Sequence, residues 1–273
     1  MFGYPDTLDP IDLTAPLAEH PLNEGRVAWW LTVPPLDGGP KWYDLIGRSA
    51  GTLTAMGSSG GLRSSTRPGT FTGQVTFTGS TGNRVACPSG LFASNVYTVA
   101  AWVNPGAVTT GISIFSCYTA DSNSCEIGFQ YNGDLYGGSW TGPAVSAALS
   151  IGVWYRVVLT STGSVTQLWV NGAKSGSTGT TNFTTFTIPS YWGSRAGAST
   201  YTGAIDDGAI WNRTLSPAEI AGDYDLSQRG YPGVLRRYRP TAAFFSVAAA
   251  PSGGSSPKKF SINQKFGFGI NLQ

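Results

Sequence analysis

Short runs of alternating apolar and polar residues, separated by turns rich in Gly, Ser, Thr and Asn, extend along most of the chain. Alternation with a period of two places every second side chain on the same face, which is typical of strands with one buried face. Thr162-Gly163 and Asn171-Gly172 each separate two such runs, and Asn-Gly is a characteristic sequence of a type I′ hairpin turn. The pattern therefore predicts an all-β protein built as a large sandwich.

Residues 203–220 predict a strand that leads directly into a short helix. Strict alternation places three of the apolar residues on one face of that strand: Ile205, Ala209 and Trp211. Ser216 is suited to cap the helix, with Pro217 as its first residue. Glu219 lies three residues after Ser216 and can complete a capping box. We expect this segment, residues 216–223, to be the only helix.

Five parts of the sequence resemble, in the same order, strand and turn motifs of the laminin-G-like, concanavalin A-like jelly-roll family. They are residues 44–53, 75–79, 97–105, 111–116 and the pair 153–159 with 168–172. Residues 203–220 are similar to the same family, and the whole sequence resembles uncharacterised bacterial and phage members. The resemblance spans roughly residues 26–225 and implies a concanavalin A-like jelly-roll β-sandwich. One fold carries many functions, so it implies no single activity.

Composition divides the chain into four segments: an acidic, proline-rich extended arm (1–25), the jelly roll (26–225), a basic, turn-rich segment with a Gly/Ser/Pro linker (226–259) and a terminal strand (260–273). All fifteen acidic residues lie at or before Asp225, where ten basic residues leave a net charge of −5. The last 48 residues hold seven basic residues and no acidic residue. The acidic N-terminal arm and the basic C-terminal segments, which we call the two arms, are therefore opposite in charge, and this favours head-to-tail assembly.

In the terminal segment, six of the seven even-numbered positions from 260 to 272 are apolar and the odd-numbered positions between them are polar or glycine, which predicts a strand with one apolar face. Such a strand returns to its own sheet or pairs with another chain by strand exchange. We assign assembly to this strand and to the basic cluster before it: Arg236, Arg237, Arg239, Phe260, Ile262, Phe266, Phe268, Ile270 and Leu272. The expected partners are other copies or other structural proteins. Nucleic acid is disfavoured because the basic cluster is sparse after Arg239.

Carboxylates in the predicted jelly roll do not show the Glu-x-Asp-x-x-Glu spacing of laminarinase-like hydrolases. Glu126 and Asp134, across one hairpin, are the best candidate for a catalytic pair. Asp134 is explained more simply as a turn residue. Serine chemistry is disfavoured because the only histidine, His20, lies in the arm. We therefore predict a non-catalytic protein, with glycoside hydrolase as the least favoured alternative.

Neither a metal nor a cofactor is expected. Calcium accompanies many members of the resembled family, but the corresponding loop, residues 78–85, has an arginine and no carboxylate, which disfavours a calcium site. Cys117 and Cys125 flank a short loop and are expected to face each other, either as a disulfide or as free thiols. Cys87 is interpreted as a small core residue.

Tryptophans and tyrosines in glycine-rich loops are candidate platforms for a sugar. The candidate glycan-binding residues are Trp140, Tyr191, Trp192, Arg195 and Tyr201. The alternative for each tryptophan is packing at the edge of the core. Four further tryptophans lie inside predicted strands and are interpreted as core: Trp102, Trp154, Trp169 and Trp211. Trp29 and Trp30 are adjacent, so a strand directs them to opposite faces.

Two functions fit these features. The first is a structural protein that assembles through its arms into a larger particle, such as a phage virion, tail or fibre, and also contacts a cell-surface glycan. The second is a stand-alone carbohydrate-binding module. The chain starts without the basic and apolar regions of a signal peptide, so we expect cytoplasmic synthesis and a place on a virion or an extracellular surface. Membrane insertion is not expected, because no run reaches ~18 apolar residues.

Overall fold

A computed structural model describes residues 19–32, 41–46, 50–56, 61–64, 73–108 and 111–231, together with the backbone of residues 260–261 and 271–272. The chain forms two compact units, Met1–Arg237 and Tyr238–Gln273. The strands of the first unit are β1 (Arg26–Trp30), β2 (Lys41–Tyr43), β3 (Ala50–Thr54), β4 (Gly61–Ser64), β5 (Gly73–Thr78), β6 (Arg84–Ser89), β7 (Val96–Pro105), β8 (Ile112–Ala120), β9 (Asn123–Phe129), β10 (Leu135–Gly138), β11 (Ala144–Ser146), β12 (Tyr155–Thr162), β13 (Val165–Val170), β14 (Ala173–Thr180), β15 (Pro189–Trp192) and β16 (Thr202–Trp211).

These strands form two antiparallel sheets of eight strands each. Sheet I has the order β14-β13-β12-β7-β16-β5-β4, with β1 also paired to β16. Sheet II has the order β11-β10-β9-β8-β15-β6-β3-β2. Neighbours that are distant in sequence, such as β7 with β16, are typical of a jelly roll rather than of a simple meander. The predicted all-β jelly-roll sandwich is therefore confirmed.

The inner faces of the two sheets enclose the main hydrophobic core. Alternate residues of β7 point into it, and β9 contributes Cys125, Ile127 and Phe129 from the other side. Trp30, Trp42 and Trp192 meet in this core, with ring centroids 6.0–6.2 Å apart. Each large aromatic ring stabilises the fold by up to ~3 kcal/mol when it is fully removed from water.

A second, smaller core lies on the outer face of sheet I. Trp29 and Trp211 pack there against a short 3₁₀ helix, Pro21–Asn23, and against the helix α1, Pro217–Gln228. Trp29 and Trp30 thus face opposite cores, as predicted. Trp102 and Trp154 are buried on the same outer face, and Trp169 is half-buried there.

Helix α1 begins as the sequence predicts. The Ser216 side chain accepts a hydrogen bond from the Glu219 backbone N–H, and the Glu219 carboxylate accepts one from the Ser216 backbone N–H. Pro217 is the first helical residue. The predicted turn between β13 and β14 is also confirmed, since Asn171 and Gly172 have φ of +51° and +80°, as a type I′ turn requires.

The predicted common face of Ile205, Ala209 and Trp211 is wrong. Strand β16 contains an irregularity between Asp206 and Ala209, where Asp207 has φ of +53°. This bulge adds a residue and reverses the direction of the side chains that follow. Ile205 therefore packs in the core between the sheets, whereas Ala209 and Trp211 pack under helix α1.

Buried charges join helix α1 to sheet I in what we call the Arg156 network. The guanidinium of Arg156 donates to the Asp223 carboxylate at 2.8–2.9 Å and to the Asp207 carbonyl at 2.7 Å. The Tyr231 hydroxyl donates to the Asp207 carboxylate at 2.5 Å. Arg26 lies over the ring of Trp29 at 4.0 Å and lies 3.8 Å from Asp223. The charged groups thus compensate one another, which is the condition for burying them.

Cys117 and Cys125 occupy opposite positions in the β8–β9 ladder, as predicted, but both thiols are free. The disulfide alternative is therefore corrected. Both side chains fill the core between the sheets, with Cys117 facing Ser190 and Cys125 facing the Tyr97 hydroxyl. Burial raises the pKa of the Cys117 thiol to about 12 and also raises the pKa of Cys125. Cys87 is a buried core residue, as interpreted.

In the second unit, Phe260–Ser261 (β17) pairs antiparallel with Asn271–Leu272 (β18). The two ends of the predicted terminal strand therefore lie side by side on separate short strands, which differs from one continuous strand over residues 260–273. The other assembly residues lie outside the described residues: Arg236, Arg237, Arg239, Ile262, Phe266, Phe268 and Ile270. Most of the acidic arm, residues 1–18, also lies outside them.

Candidate functional site

The outer face of sheet II carries a group of polar and aromatic side chains. On β9, Cys125 and Ile127 point into the core, so the residue between them, Glu126, points outward. Tyr136 of β10 lies opposite Gly128 in the ladder. A Cβ atom at Gly128 would lie 2.8 Å from the Tyr136 ring, so the glycine makes room for that ring beside Glu126.

Arg195 reaches this face from the loop after β15. Its backbone forms a tight turn with Ala198, with hydrogen bonds of 2.8 and 2.9 Å in the two directions. The Ser116 hydroxyl holds the start of the loop by donating to the Ser194 carbonyl at 2.8 Å. The guanidinium then donates two hydrogen bonds to the Glu126 carboxylate, both at 2.7 Å. This paired geometry fixes the plane of the guanidinium.

Glu126 is fully buried and has further partners. Its carboxylate accepts hydrogen bonds from the Tyr136 hydroxyl at 3.2 Å and from the Ser113 hydroxyl at 3.3 Å. Burial raises the pKa of Glu126, and the hydrogen bonds from Arg195 oppose this rise. For Arg195, burial opposes the charged form, but the hydrogen bonds to Glu126 more than compensate and raise its pKa. The two short hydrogen bonds between guanidinium and carboxylate make the pair a rigid support.

Aromatic rings surround the guanidinium of Arg195. Its central carbon lies 4.5 Å from the ring centroid of Tyr118 and 5.7 Å from that of Trp140. Trp140 meets Tyr136 and Tyr131 edge to face, at 5.0 and 5.6 Å. Tyr131 is 72% exposed, and Trp140 is half-buried. Together the rings form an aromatic platform beside a fixed cation, with Tyr131 exposed, Trp140 and Tyr118 partly exposed and Tyr136 buried beneath them.

A second carboxylate closes the group. Asp121, in the turn between β8 and β9, accepts hydrogen bonds on Oδ1 from Arg195 at 3.3 Å and from the Tyr118 hydroxyl at 3.1 Å. Its side chain is 54% exposed. We call the whole group the Arg195 surface. It consists of Tyr118, Asp121, Glu126, Tyr131, Tyr136, Trp140 and Arg195.

Two of the five predicted glycan-binding residues, Trp140 and Arg195, come together on this surface. Tyr191 lies on the same outer face, beside Ser116, with its ring 5.7 Å from the Arg84 guanidinium. The other two assignments are corrected. Trp192 and Tyr201 are 0% exposed. Because Tyr191 points outward, its neighbour Trp192 points inward, and Tyr201 packs on Phe77 with centroids 6.0 Å apart.

The candidate catalytic pair of Glu126 and Asp134 is not assembled. Glu126 lies opposite Gly138 in the ladder, four residues along β10 from Asp134. Four residues of strand correspond to roughly 13 Å, beyond the ~5–9.5 Å between glycosidase carboxylates. Asp134 instead accepts a hydrogen bond from the Asn132 side chain, and its own N–H donates to that side chain. The interpretation of Asp134 as a turn residue is confirmed.

Asp44 and Asp206 act as hydrogen-bond acceptors for backbone groups. Asp44 accepts from the N–H groups of Trp29 and Ile46, and Asp206 accepts from that of Thr32. Within the described ranges, no three side chains of His, Cys, Asp or Glu form a group that could hold a metal ion. In the same residues, no helix is long and apolar enough to cross a membrane.

An antiparallel sandwich of two eight-stranded sheets, with polar and aromatic side chains on one outer face, defines a lectin-like jelly roll. The family model described as the concanavalin A-like lectin/glucanases superfamily, Laminin_G_3, matches residues 78–221. This match spans more than half of the chain, and the protein therefore belongs to that superfamily. No curated protein sequence matches the chain.

Several solved structures share the fold. Domain 4 of AbnA, a GH43 extracellular arabinanase from Geobacillus stearothermophilus, in complex with arabinotriose, has a TM-score of 0.57 at 21% identity, covering 74% of this chain and 98% of that one. Trypanosoma rangeli sialidase in complex with sialic acid has a TM-score of 0.53 at 19% identity, covering 74% of this chain and 33% of the sialidase. The receptor binding domain of botulinum neurotoxin C/D mosaic serotype has a TM-score of 0.55 at 14% identity, covering 74% of this chain and 51% of that domain.

These identities show the shared fold alone. The protein spans about a third of the sialidase and about half of the neurotoxin domain. Parts of glycosidases and a receptor binding domain thus carry the same sandwich, so the fold serves both catalytic and binding proteins.

Sequence reasoning missed Glu126 as the partner of Arg195, and it missed Tyr118, Asp121 and Tyr131. One signal for two of these was present. Once Cys117 and Cys125 are placed opposite each other, alternation directs both Tyr118 and Glu126 to the outer face. Arg195 was a candidate on its own, but the sequence offers no comparable signal that it lies beside Glu126, because it comes from a loop 69 residues further along the chain.

Proposed function

We propose that this protein is a non-catalytic carbohydrate-binding module whose ligand lies on the Arg195 surface. One observation carries the proposal: the exposed ring of Tyr131 and the half-buried ring of Trp140 pack together, and Trp140 lies beside a guanidinium that a buried carboxylate holds in place. Ligand sites of this kind combine apolar and aromatic walls with a few fixed polar groups. A sugar ring offers the matching chemistry, because one face presents C–H groups and the rim presents hydroxyls.

The neighbouring structures support the choice of ligand class. Domain 4 of the arabinanase is bound to arabinotriose, and this chain covers 98% of that domain. The domain is thus a whole sandwich, of comparable extent to the one described for this protein. We extend the ligand class, a neutral or charged oligosaccharide, from that domain to this protein as part of the proposal.

The absence of catalysis is also part of the proposal. A retaining or inverting glycosidase needs two carboxyl groups on either side of a sugar bond. On the Arg195 surface, Glu126 is buried and holds Arg195, Tyr136 and Ser113. Asp121 is exposed, but it shares Arg195 with Glu126. A reducing-sugar assay on the ligands found below tests this, and steady release of product would support the hydrolase alternative.

The direct test is a glycan array followed by calorimetry. Trp140→Ala removes the central ring of the aromatic platform. We expect it to weaken binding by about tenfold or more, because the ring loses both its buried area and the ~0.5–1.5 kcal/mol that stacked rings contribute beyond that area. Val165→Ala is the control, because Val165 is exposed at the β12–β13 hairpin of sheet I. Equal binding by wild type and Trp140→Ala would contradict the site.

Assembly through the arms is the second candidate function. The separation of charge supports it, with all acidic residues at or before Asp225 and seven basic residues after it. The C-terminal residues Tyr238–Gln273 also form a compact unit of their own, which supports a role for the tail distinct from that of the sandwich. In this proposal the protein is part of a virion or another extracellular surface, and the glycan site and the arms serve one particle.

Light scattering of the full chain and of a chain ending at Ala243 tests assembly, at low salt and at ~0.5 M salt, where the screening length is only a few Å. We expect a defined oligomer for the full chain and a monomer for the shortened one. If both are monomers under both conditions, self-assembly through the tail is refuted.

A further inference from the structure

We propose that the Arg195 surface selects neutral sugars over anionic ones, and that Asp121 is the residue that determines this selectivity. The inference rests on the proposed function, since it names the ligand class of the same site. An arginine beside aromatic rings would ordinarily suggest a carboxylate ligand, such as a sialic or uronic acid. The contacts of this particular arginine favour the opposite.

The charge of Arg195 is already compensated by the protein. Nε and Nη2 donate to the two oxygens of Glu126 at 2.7 Å. Nη2 also donates to the Tyr136 hydroxyl and Nη1 donates to Asp121, both at 3.3 Å. A guanidinium has five N–H donors in a fixed fork, so four are engaged. A ligand carboxylate that binds through both oxygens needs two free N–H donors, and only one, on Nη1, remains. The second would have to be taken from Asp121 or from Glu126, which is buried and would lose part of its charge compensation.

The charge that remains open to a ligand is negative. The Arg195 surface contains two carboxylate side chains, Glu126 and Asp121, and one guanidinium, so its net formal charge is −1. Oδ1 of Asp121 is occupied by Tyr118 and Arg195, whereas Oδ2 accepts no hydrogen bond from the described residues. The side chain is 54% exposed, and Arg195 connects it to the ring of Trp140.

An open carboxylate oxygen accepts hydrogen bonds and donates none. Sugar hydroxyls can donate to it while the ring covers Trp140 or Tyr131. An ionised sugar carboxylate cannot donate, and it is repelled by the like charge at short range. The site therefore combines attraction for neutral sugars with a repulsive element against anionic ones, which is how binding sites become selective.

The experiment measures binding of the full chain to pairs of glycans that differ by one acid group. Each pair holds a neutral oligosaccharide and its sialylated or uronic-acid counterpart, including arabinotriose, neutral xylo-oligosaccharides with their glucuronosyl forms, and lactose with sialyllactose. We expect the neutral member to bind about tenfold or more tightly, because a hydrogen bond to a charged group contributes at roughly that level.

Asp121→Asn is the diagnostic variant, because it keeps the shape and removes the charge. We expect it to reduce the preference for the neutral member by about tenfold. The matched control is Asp225→Asn, which neutralises another exposed carboxylate paired to an arginine, on helix α1. The control should leave the preference unchanged. Circular dichroism checks that both variants fold as the wild type does.

The outcomes separate the two proposals. Tighter binding of the acidic members, or a preference that Asp121→Asn leaves intact, overturns the selectivity while the glycan site stands. No binding to any member, or binding that Trp140→Ala does not alter, overturns the site and the selectivity together.

Discussion

Replacement of Arg156 by methionine would break the buried ionic network between helix α1 and sheet I. Methionine retains much of the length of the arginine stem, so the change removes charge and hydrogen bonds more than volume. Arg156 is fully buried and contacts Asp223 at 2.8–2.9 Å and the Asp207 carbonyl at 2.7 Å. In the variant, Arg26 remains as a cationic neighbour of Asp223, at 3.8 Å.

The expected cost follows from this loss of charge compensation. Removing one partner from a buried ion pair destabilises a protein by about 3–5 kcal/mol. A domain of this kind is stable by about 5–15 kcal/mol in total. For 150–250 residues, 1 kcal/mol shifts the melting temperature by about 2–4 °C. We therefore expect Arg156→Met to lower the free energy of unfolding by about 3–5 kcal/mol and the melting temperature by roughly 10 °C.

Urea denaturation followed by tryptophan fluorescence measures this change. The matched control is Arg229→Met, which breaks an exposed arginine–aspartate pair on the same helix, with Asp225. Exposed pairs contribute about 0–1 kcal/mol, so the control should unfold almost as the wild type does. If Arg156→Met loses less than ~1 kcal/mol, like the control, the network does not hold the helix and the reasoning is refuted.

Three further measurements test separate features. Calorimetry should show that Trp192→Ala, in the core, loses about 3–5 kcal/mol, whereas Trp140→Ala, at the half-buried platform, loses clearly less; similar losses would contradict the assigned burial. Gly222→Ala should stabilise helix α1 by about 0.5–1 kcal/mol, because open space surrounds the position; destabilisation in urea would contradict this. Hydrogen bonds from Arg213 lower the pKa of Glu219 from 4.5 to about 2. Its capping contribution should therefore be complete above pH 4.5 and fade towards pH 2, and an acid titration of Glu219→Gln should lack this component.

The sequence predicts the fold well because its signals are local. The alternation of apolar residues, the Asn171-Gly172 turn and the capping box of Ser216 and Glu219 each depend on a few adjacent residues. Trp29 and Trp30 face opposite cores for the same reason. The family motifs added the order of the strands, which local signals do not contain.

The errors arose where local rules meet a distant constraint. The bulge at Asp207 breaks the alternation in β16 because Asp207 binds Trp29, Arg156 and Tyr231, which are far away in sequence. Trp192 looked exposed because glycine and serine follow it, although its strand directs it into the core. Arg195 and Trp140 were selected separately, and only the folded sheet shows that Glu126 and Tyr118 bring them into one surface.

The position of helix α1 gives the sandwich two different sides. Trp211 donates to the Leu22 carbonyl and the Tyr231 hydroxyl donates to Asp207, so Leu22, before the first strand, and Tyr231, after helix α1, are both held at the outer face of sheet I. The Arg195 surface lies on the outer face of sheet II, across the full thickness of the sandwich. A body attached at Leu22 or at Tyr231 would therefore lie on the side of the sandwich opposite the Arg195 surface, which would leave the proposed glycan site accessible.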